Sequence, residues 1–273
     1  MRNYLSSIGR NFPQVNGLGT NKWGMVYGVG TASDPVYKLT GSMPANVANQ
    51  LKNVGFHAPA SFIDKLTGTS DSPFVVVDEA TGISVWGAGA SKVDSTTINV
   101  TSAGYFTHGT NGLDTNSIGN HSDCAAKGAV CTVSRGRIPE AFLITAAQFE
   151  TAKVNHTGIG HVLEFFWPET DSSGCLFPMA GCEGGNAGWG FEGQRVALDP
   201  TLDIVDRAGC DDSDDVLVRT LQQNGGYIGD NAGGTSWVIK AEQGATFTGL
   251  TQNGLSGCVT SNDFVATDNG PFN

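Results

Sequence analysis

The stretch "SPFVVVDEATGISVWGAG", residues 72–89, constrains the fold more than any other part of the chain. Four large apolar residues, Phe74 to Val77, lead into a polar turn that ends at Gly82, and a second strand follows from Ile83. Valine and isoleucine are stiff about the first side-chain torsion and fit a pleated sheet better than a helix. Apolar runs this short, bounded by turn residues, read as a hairpin. The first run has no polar alternation, which predicts a strand buried on both faces.

The same grammar recurs. "STTINVTSAGYF" is rich in β-branched residues, and "GHVLEFFWPE", "GFEGQRVALD", "GYIGD", "TSWVIKAEQ" and "NDFVAT" supply further strands. Three short helices interrupt them. "MPANVANQLKNVG" has Pro44 in its first turn and stops at Gly55. "TAAQFETAK" has Thr145 as its N-cap. "DDSDDVLVRTLQQNGG" carries acids where the helix dipole favours them and glycines at its end. Strands dominate and no βαβ alternation is evident. The expected fold is therefore mainly β, a β-sandwich or jelly roll with a few short peripheral helices. No linker or repeat divides the chain, so residues 1–273 read as one domain, with 1–20 as an extended N-terminal segment.

Composition narrows the function classes. The net charge is −11, and no Lys/Arg cluster offsets it. That excludes nucleic acid and anionic membranes as partners, because a phosphate backbone needs clustered cations. No apolar stretch approaches the length of a membrane span. Charged residues are 15% and glycines number 38, the composition of an exported β protein. The start "MRNYLSSIGRNFPQ" has no apolar core of signal-peptide length and reads as a chain whose leader has been removed. Six cysteines fall in pairs by spacing: Cys124 with Cys131, Cys175 with Cys182, and Cys210 with Cys258. These suit disulfides of a secreted or extracellular protein, and no Cys-x-x-Cys points to zinc. Asp211, Asp212, Asp214 and Asp215 raise a structural-calcium reading. Their spacing is not that of an EF-hand loop, and capping acids at a helix start is the plainer reading. No cofactor is expected.

Several catalytic signatures are absent: Gly-x-Ser-x-Gly, the P-loop, the dinucleotide fingerprint and His-Glu-x-x-His. What remains is carboxylates, aromatics and histidines on strands. In "NAGWGFEGQRVALDP" a regular strand puts Trp189, Phe191 and Arg195 on one face and Glu192, Gln194, Val196 and Leu198 on the other. Gly193 marks a bulge that would return Glu192 to the aromatic face. In "GHVLEFFWPE" His161, Leu163, Phe165 and Trp167 alternate with Val162, Glu164 and Phe166, the pattern of a central strand. His161 and Glu164 are polar exceptions there and need partners. Asp230 opens a glycine-rich turn after Tyr227.

Two carboxylates flanking a glycosidic bond are the requirement for glycoside hydrolysis. Glu192 and Asp230 are the candidate pair, with His161 beside them in the catalytic set. Arg195 and Tyr227 would bind substrate, and Trp167 and Trp189 would stack on sugar rings. The expected partner is a polysaccharide or oligosaccharide, and a β-glucan such as cellulose suits an acidic protein better than a polyanion does. Tyr227, His161 and Arg195 are the set expected of a polysaccharide lyase. A non-catalytic glycan-binding module or surface protein is the third reading.

The series "SMPANVANQLKNVGFHAP", "FVVVDEATGISVWGAG", "RGRIPEAFLITAAQFETAKVNHTGIGHVLEF", "FEGQRVALDPTLD", "VLVRTLQQNGGYIGDNAG" and "NDFVATD" resembles a family of secreted, β-rich proteins from soil bacteria that are taken to act on extracellular polysaccharide. The resemblance spans the chain from about residue 40 onward. It implies export and a β-rich fold, and it makes His161, Glu192, Arg195 and Asp230 the first positions to test. The cysteine-bearing insert at 171–190 departs from the family pattern.

Overall fold

A computed structural model describes residues 1–43, 45–109, 141–174, 176–179, 187–205, 207–233 and 236–267. Among the described residues the fold is mainly β, 30% strand against 21% helix, with several mixed sheets, four short helices and no closed barrel. The chain packs as two compact units, Met1–Asn21 with Ala141–Asn273, and Lys22–Glu140.

The chain opens with helix α1 (Arg2–Ser7) and strand β1 (Gln14–Asn16), both in the first unit. The extended segment expected at 1–20 is thus partly helical, because Leu5 is drawn fully into the core.

The second unit holds β2 (Val26–Gly30), β3 (Val36–Gly41), helix α2 (Ala45–Ala48), which continues as a π-helical turn to Val54, β4 (Phe56–His57), β5 (Phe74–Asp78), β6 (Ile83–Ala88), β7 (Ser91–Lys92), β8 (Thr97–Val100) and β9 (Ser102–Thr107). They form two four-stranded sheets, β2-β5-β6-β9 and β4-β3-β8-β7. Val26, Val76 and Val85 of one sheet and Tyr37, Leu39 and Ile98 of the other share one apolar cluster. The predicted hairpin is present, β5 pairing antiparallel with β6 from Phe74↔Gly87 to Asp78↔Ile83. "STTINVTSAGYF" is two strands rather than one: the chain leaves one sheet and joins the other at Thr101, whose N–H and hydroxyl both donate to the Ala88 carbonyl. Asp78 does more than start a turn. It is fully buried and accepts from the His57 and Ala80 N–H groups and from the N–H and hydroxyl of Thr81. Burial pushes its carboxyl up, but these hydrogen bonds outweigh it and hold the group below the usual carboxylate range.

The rest of the first unit comprises α3 (Ala146–Val154), β10 (Leu163–Trp167), β11 (Arg195–Leu198), α4 (Asp212–Gln223), β12 (Gly226–Asn231), β13 (Val238–Lys240) and β14 (Phe264–Thr267). Six strands make one mixed sheet in the order β1-β13-β10-β12-β11-β14. The helix caps are those expected: Thr145 with Gln148 on α3 and Asp211 with Asp214 on α4 form reciprocal capping boxes. The aspartates at 211–215 therefore include the cap of a helix. Leu163, Phe165, Trp167, Val196, Leu198, Ile228 and Ile239 point from the sheet into one core, where Leu5, Phe149, Leu217 and Leu221 of the helices meet them. The short helices lend these side chains to that core. The Cys210–Cys258 disulfide is present; the Cys124–Cys131 and Cys175–Cys182 pairings lie outside the described residues. No helix among the described residues is long and apolar enough to cross a membrane.

Candidate polar face on the six-stranded sheet

Strand β10 is central and buried along its length, as its sequence predicts. Its odd residues face the helix-covered core, so Glu164 and Phe166 face the other way. Register carries that face across the sheet. Glu164 lies opposite Tyr227 on β12, and Tyr227 lies opposite Arg195 on β11. On the other side, β10 and β13 pair antiparallel through Phe165↔Ile239 and Phe166↔Val238. One step further in that register brings Lys240 opposite Glu164. The result is a polar row across four strands: Arg195, Tyr227, Glu164, Lys240. The Lys240 ammonium also stands 3.9 Å from the centre of the Phe166 ring, a cation–π contact.

The pairing of β10 with β12 slips between Phe165 and Phe166, from Ile228 to Asp230, leaving Gly229 as the extra residue of a bulge. The bulge turns Asp230 onto the face of Phe166 and Glu164. It also makes room. A Cβ on Gly229 would lie 1.8 Å from the nearer Glu164 carboxyl oxygen, so the glycine is what lets that carboxyl lie against the strand.

Glu192 lies on the segment that leads into β11. Its strand does not run regularly from Trp189. Gly193 adopts φ +90°, and β11 begins only at Arg195. The Gly193 N–H donates to the Ile228 carbonyl at 2.7 Å, and the Ile228 N–H donates to the Gln194 carbonyl at 2.9 Å. The 193–194 backbone is thereby tied to Ile228, and Glu192 just before it is 0% exposed. The strict alternation over residues 189–199 gives way, and the break expected at Gly193 is observed.

The other sequence candidates divide. Asp230 is half-buried and accepts the Asn231 N–H. Tyr227 is 5% exposed and packs edge-on against Phe142; burial raises its phenol pKa, and the Arg195 charge pulls it the other way. Arg195 donates twice to the Asn224 carbonyl, at 2.9 and 2.6 Å, so it binds the C-terminal end of α4. His161 stands before β10. Its Nδ1 lies 2.9 Å from the Val162 carbonyl and must carry the proton there, while its Nε2 is buried with no hydrogen-bond partner among the described residues. Trp167 must be reassigned. It is fully buried against Phe165 and Trp237, so neither ring face is offered to a sugar. Trp189 packs on Trp167 at 5.8 Å but is only partly covered, and with Arg2, Asn3 and Phe264 it lines a 590 Å³ hollow beside β14. A second hollow, 490 Å³, lies between α3 and residues 157–161 and includes His161. Glu164, Glu192, Tyr227 and Asp230 line neither.

Glu164 is the residue the sequence-derived catalytic set lacks. The signal was present, a carboxyl in an otherwise apolar central strand. In the second unit Ser84 Oγ is 3.0 Å from His108 Nε2, and no carboxylate bonds that histidine among the described residues. No group of three metal-ligating side chains occurs among the described residues.

No protein-family model, curated protein or solved structure matches this chain.

Proposed function

We propose that this chain is an exported carbohydrate-active enzyme, a glycoside hydrolase that cleaves a neutral β-glucan such as cellulose with a carboxyl pair drawn from Glu192, Glu164 and Asp230. What supports the reading is the register that sets Glu164 and Asp230 on one face about Gly229, next to Tyr227, with buried Glu192 adjoining the Gly193–Ile228 hydrogen bond. Glycoside hydrolysis asks for two carboxyls in unlike surroundings, one protonated donor and one ionised base or nucleophile. Glu164 and Glu192 are buried and Asp230 half-buried, so the surroundings differ in the needed way. The charge of −11 favours a neutral polymer over a polyanion. The Cys210–Cys258 disulfide and the resemblance to secreted proteins support export.

The test is release of reducing ends from cello-oligosaccharides by the wild type and by Glu164→Gln, Glu192→Gln and Asp230→Asn. At least two of the three substitutions should lower kcat by a hundredfold or more, about 3 kcal/mol of transition-state stabilisation, with the far-ultraviolet spectrum unchanged. Wild-type rates in all three overturn the assignment. The burial of Glu164 and Glu192 favours one second reading, a non-catalytic glycan-binding protein, for which saccharide binding without new reducing ends is the expected result. A lyase is less supported, because a raised Tyr227 pKa makes a poor base and Arg195 is engaged with Asn224.

A further inference from the structure

The hollow beside β14 shares no lining residue with the carboxyl set, yet it joins an indole to several open hydrogen-bonding groups. Its 590 Å³ falls in the range of about 300–1,000 Å³ that small-molecule sites occupy. Trp189 forms one side. It packs on Trp167 at 5.8 Å and is half-buried, so its remaining surface lines the hollow. Arg2 and Asn3 of α1 form a second side. One carbonyl holds both in place: Glu169 accepts the Trp189 N–H at 3.1 Å and the Tyr4 hydroxyl at 3.1 Å. Leu5, fully buried, roots the helix in the core.

β14 supplies the third side. It is the last strand of its sheet and pairs with β11. The Asp199 N–H donates to the Asp263 carbonyl at 2.8 Å, which sets the phase of that antiparallel ladder. Hydrogen-bonded pairs alternate with open ones, so Val265 turns its main-chain groups to β11 while Phe264 and Ala266 turn theirs outward. The Phe264 carbonyl accepts from Arg2 Nε at 3.3 Å. This bond fixes the guanidinium at the sheet edge and leaves its two terminal nitrogens without a hydrogen bond among the described residues. The outward N–H and C=O of exposed Ala266 are likewise open among the described residues. A sugar ring presents an apolar C–H face and a rim of hydroxyls that both donate and accept. Trp189 offers the apolar surface, Arg2 the donors, and Ala266 and the Asn3 amide both kinds of group. We propose that this hollow is a saccharide-binding site, separate from the carboxyl groups, that holds a neutral β-glucan chain against the Trp189 indole. The choice of a glucan rests on the carbohydrate-active reading above; the site uses none of its carboxyls. A peptide strand fits less well, because the Arg2 bond to Phe264 leaves Ala266 alone open for pairing among the described residues.

Titration of the whole protein with cellohexaose, followed by NMR of isotope-labelled tryptophan indoles, tests this directly. The Trp189 signal should shift saturably while that of fully buried Trp237 stays in place. Trp189→Ala should raise the dissociation constant at least about tenfold, and Trp189→Phe, which keeps an aromatic face, by about threefold or less. Arg2→Met should raise it about fivefold by removing the terminal donors. An unmoved Trp237 signal in each variant reports that the aromatic core behind the site is intact. Wild-type affinity in Trp189→Ala overturns the site. A Trp189 signal that moves with an extended Val-Thr peptide and not with cellohexaose overturns it in favour of a strand-pairing partner. Reducing-end release with an unmoved Trp189 signal sinks the site and keeps the hydrolase. Trp189-dependent binding with no new reducing ends sinks the hydrolase and keeps the site.

Discussion

Asp214 offers the sharpest thermodynamic test. It sits in the first turn of α4, is 4% exposed, and its Oδ1 lies against Gly254, where an added Cβ would be 2.2 Å away. Burial, then the neighbouring Asp211 charge, then Asp215, push its pKa from 3.8 to about 6, against a lowering by the Asp211 N–H. At about 1.4 kcal/mol per pH unit this is worth about 3 kcal/mol. The folded pKa is raised, so the folded state holds the proton more tightly than the unfolded one. The contribution is fully present below pH 3.8 and is lost as pH rises through about 6. Asp214→Asn mimics the protonated carboxyl and leaves the Asp211 cap on Ser213 in place. The variant should gain about 3 kcal/mol at pH 7 and less than about 1 kcal/mol at pH 4. Native-state hydrogen exchange at Val218 and Leu221, both buried in α4, reads that free energy locally and is indifferent to how the other unit unfolds. Equal gains at the two pH values refute the reasoning, because an uncharged packing effect does not titrate.

Three further outcomes follow from single contacts. Gly229→Ala forces a methyl onto the Glu164 carboxyl and should cost more than about 2 kcal/mol, and Glu164→Ala in the same chain should recover most of it in a double-mutant cycle by denaturant titration. Cys210→Ser with Cys258→Ser opens a crosslink across 48 residues and should cost about 4 kcal/mol by the loop-entropy relation, read as a lower urea midpoint for the tryptophans of the first unit. Thr145→Ala removes the hydroxyl that accepts the Gln148 N–H and should destabilise α3 by about 1 kcal/mol, seen as faster amide exchange at Phe149.

What the sequence disclosed, it disclosed locally. The β5–β6 hairpin, the Thr145 and Asp211 caps and the buried central strand β10 each depend on residues a few positions apart, and their chemistry stands in one short string. Parallel pairs such as β2 with β5 and β10 with β12 join distant segments, and no local pattern names the partner. The change of sheet at Thr101 is invisible for the same reason, since the residues on either side are equally good strand formers. An aromatic on a strand reads alike in sequence whether its ring meets a sugar or, as at Trp167, Phe165 and Trp237. Asp230 was placed in a turn, and only the slip opposite Phe165–Phe166 shows that it rejoins the Glu164 face.

Register, more than composition, decides whether this sheet can hold a polar site. A carboxyl buried without polar neighbours costs several kcal/mol. At position 164 the facing residues on either side are Tyr227 and, by extension of the register, Lys240, with Arg195 one strand further. One residue along, the side chain would stand where Phe165 is, 5.7 Å from Trp237 and 6.3 Å from Phe264, on the helix-covered side. There the neighbours are apolar, and an ionised group would be expelled or the strand would slip. Polar groups on four strands therefore depend on one another for their burial. The bulge at Gly229 extends that row to Asp230 without disturbing the aromatic core behind it.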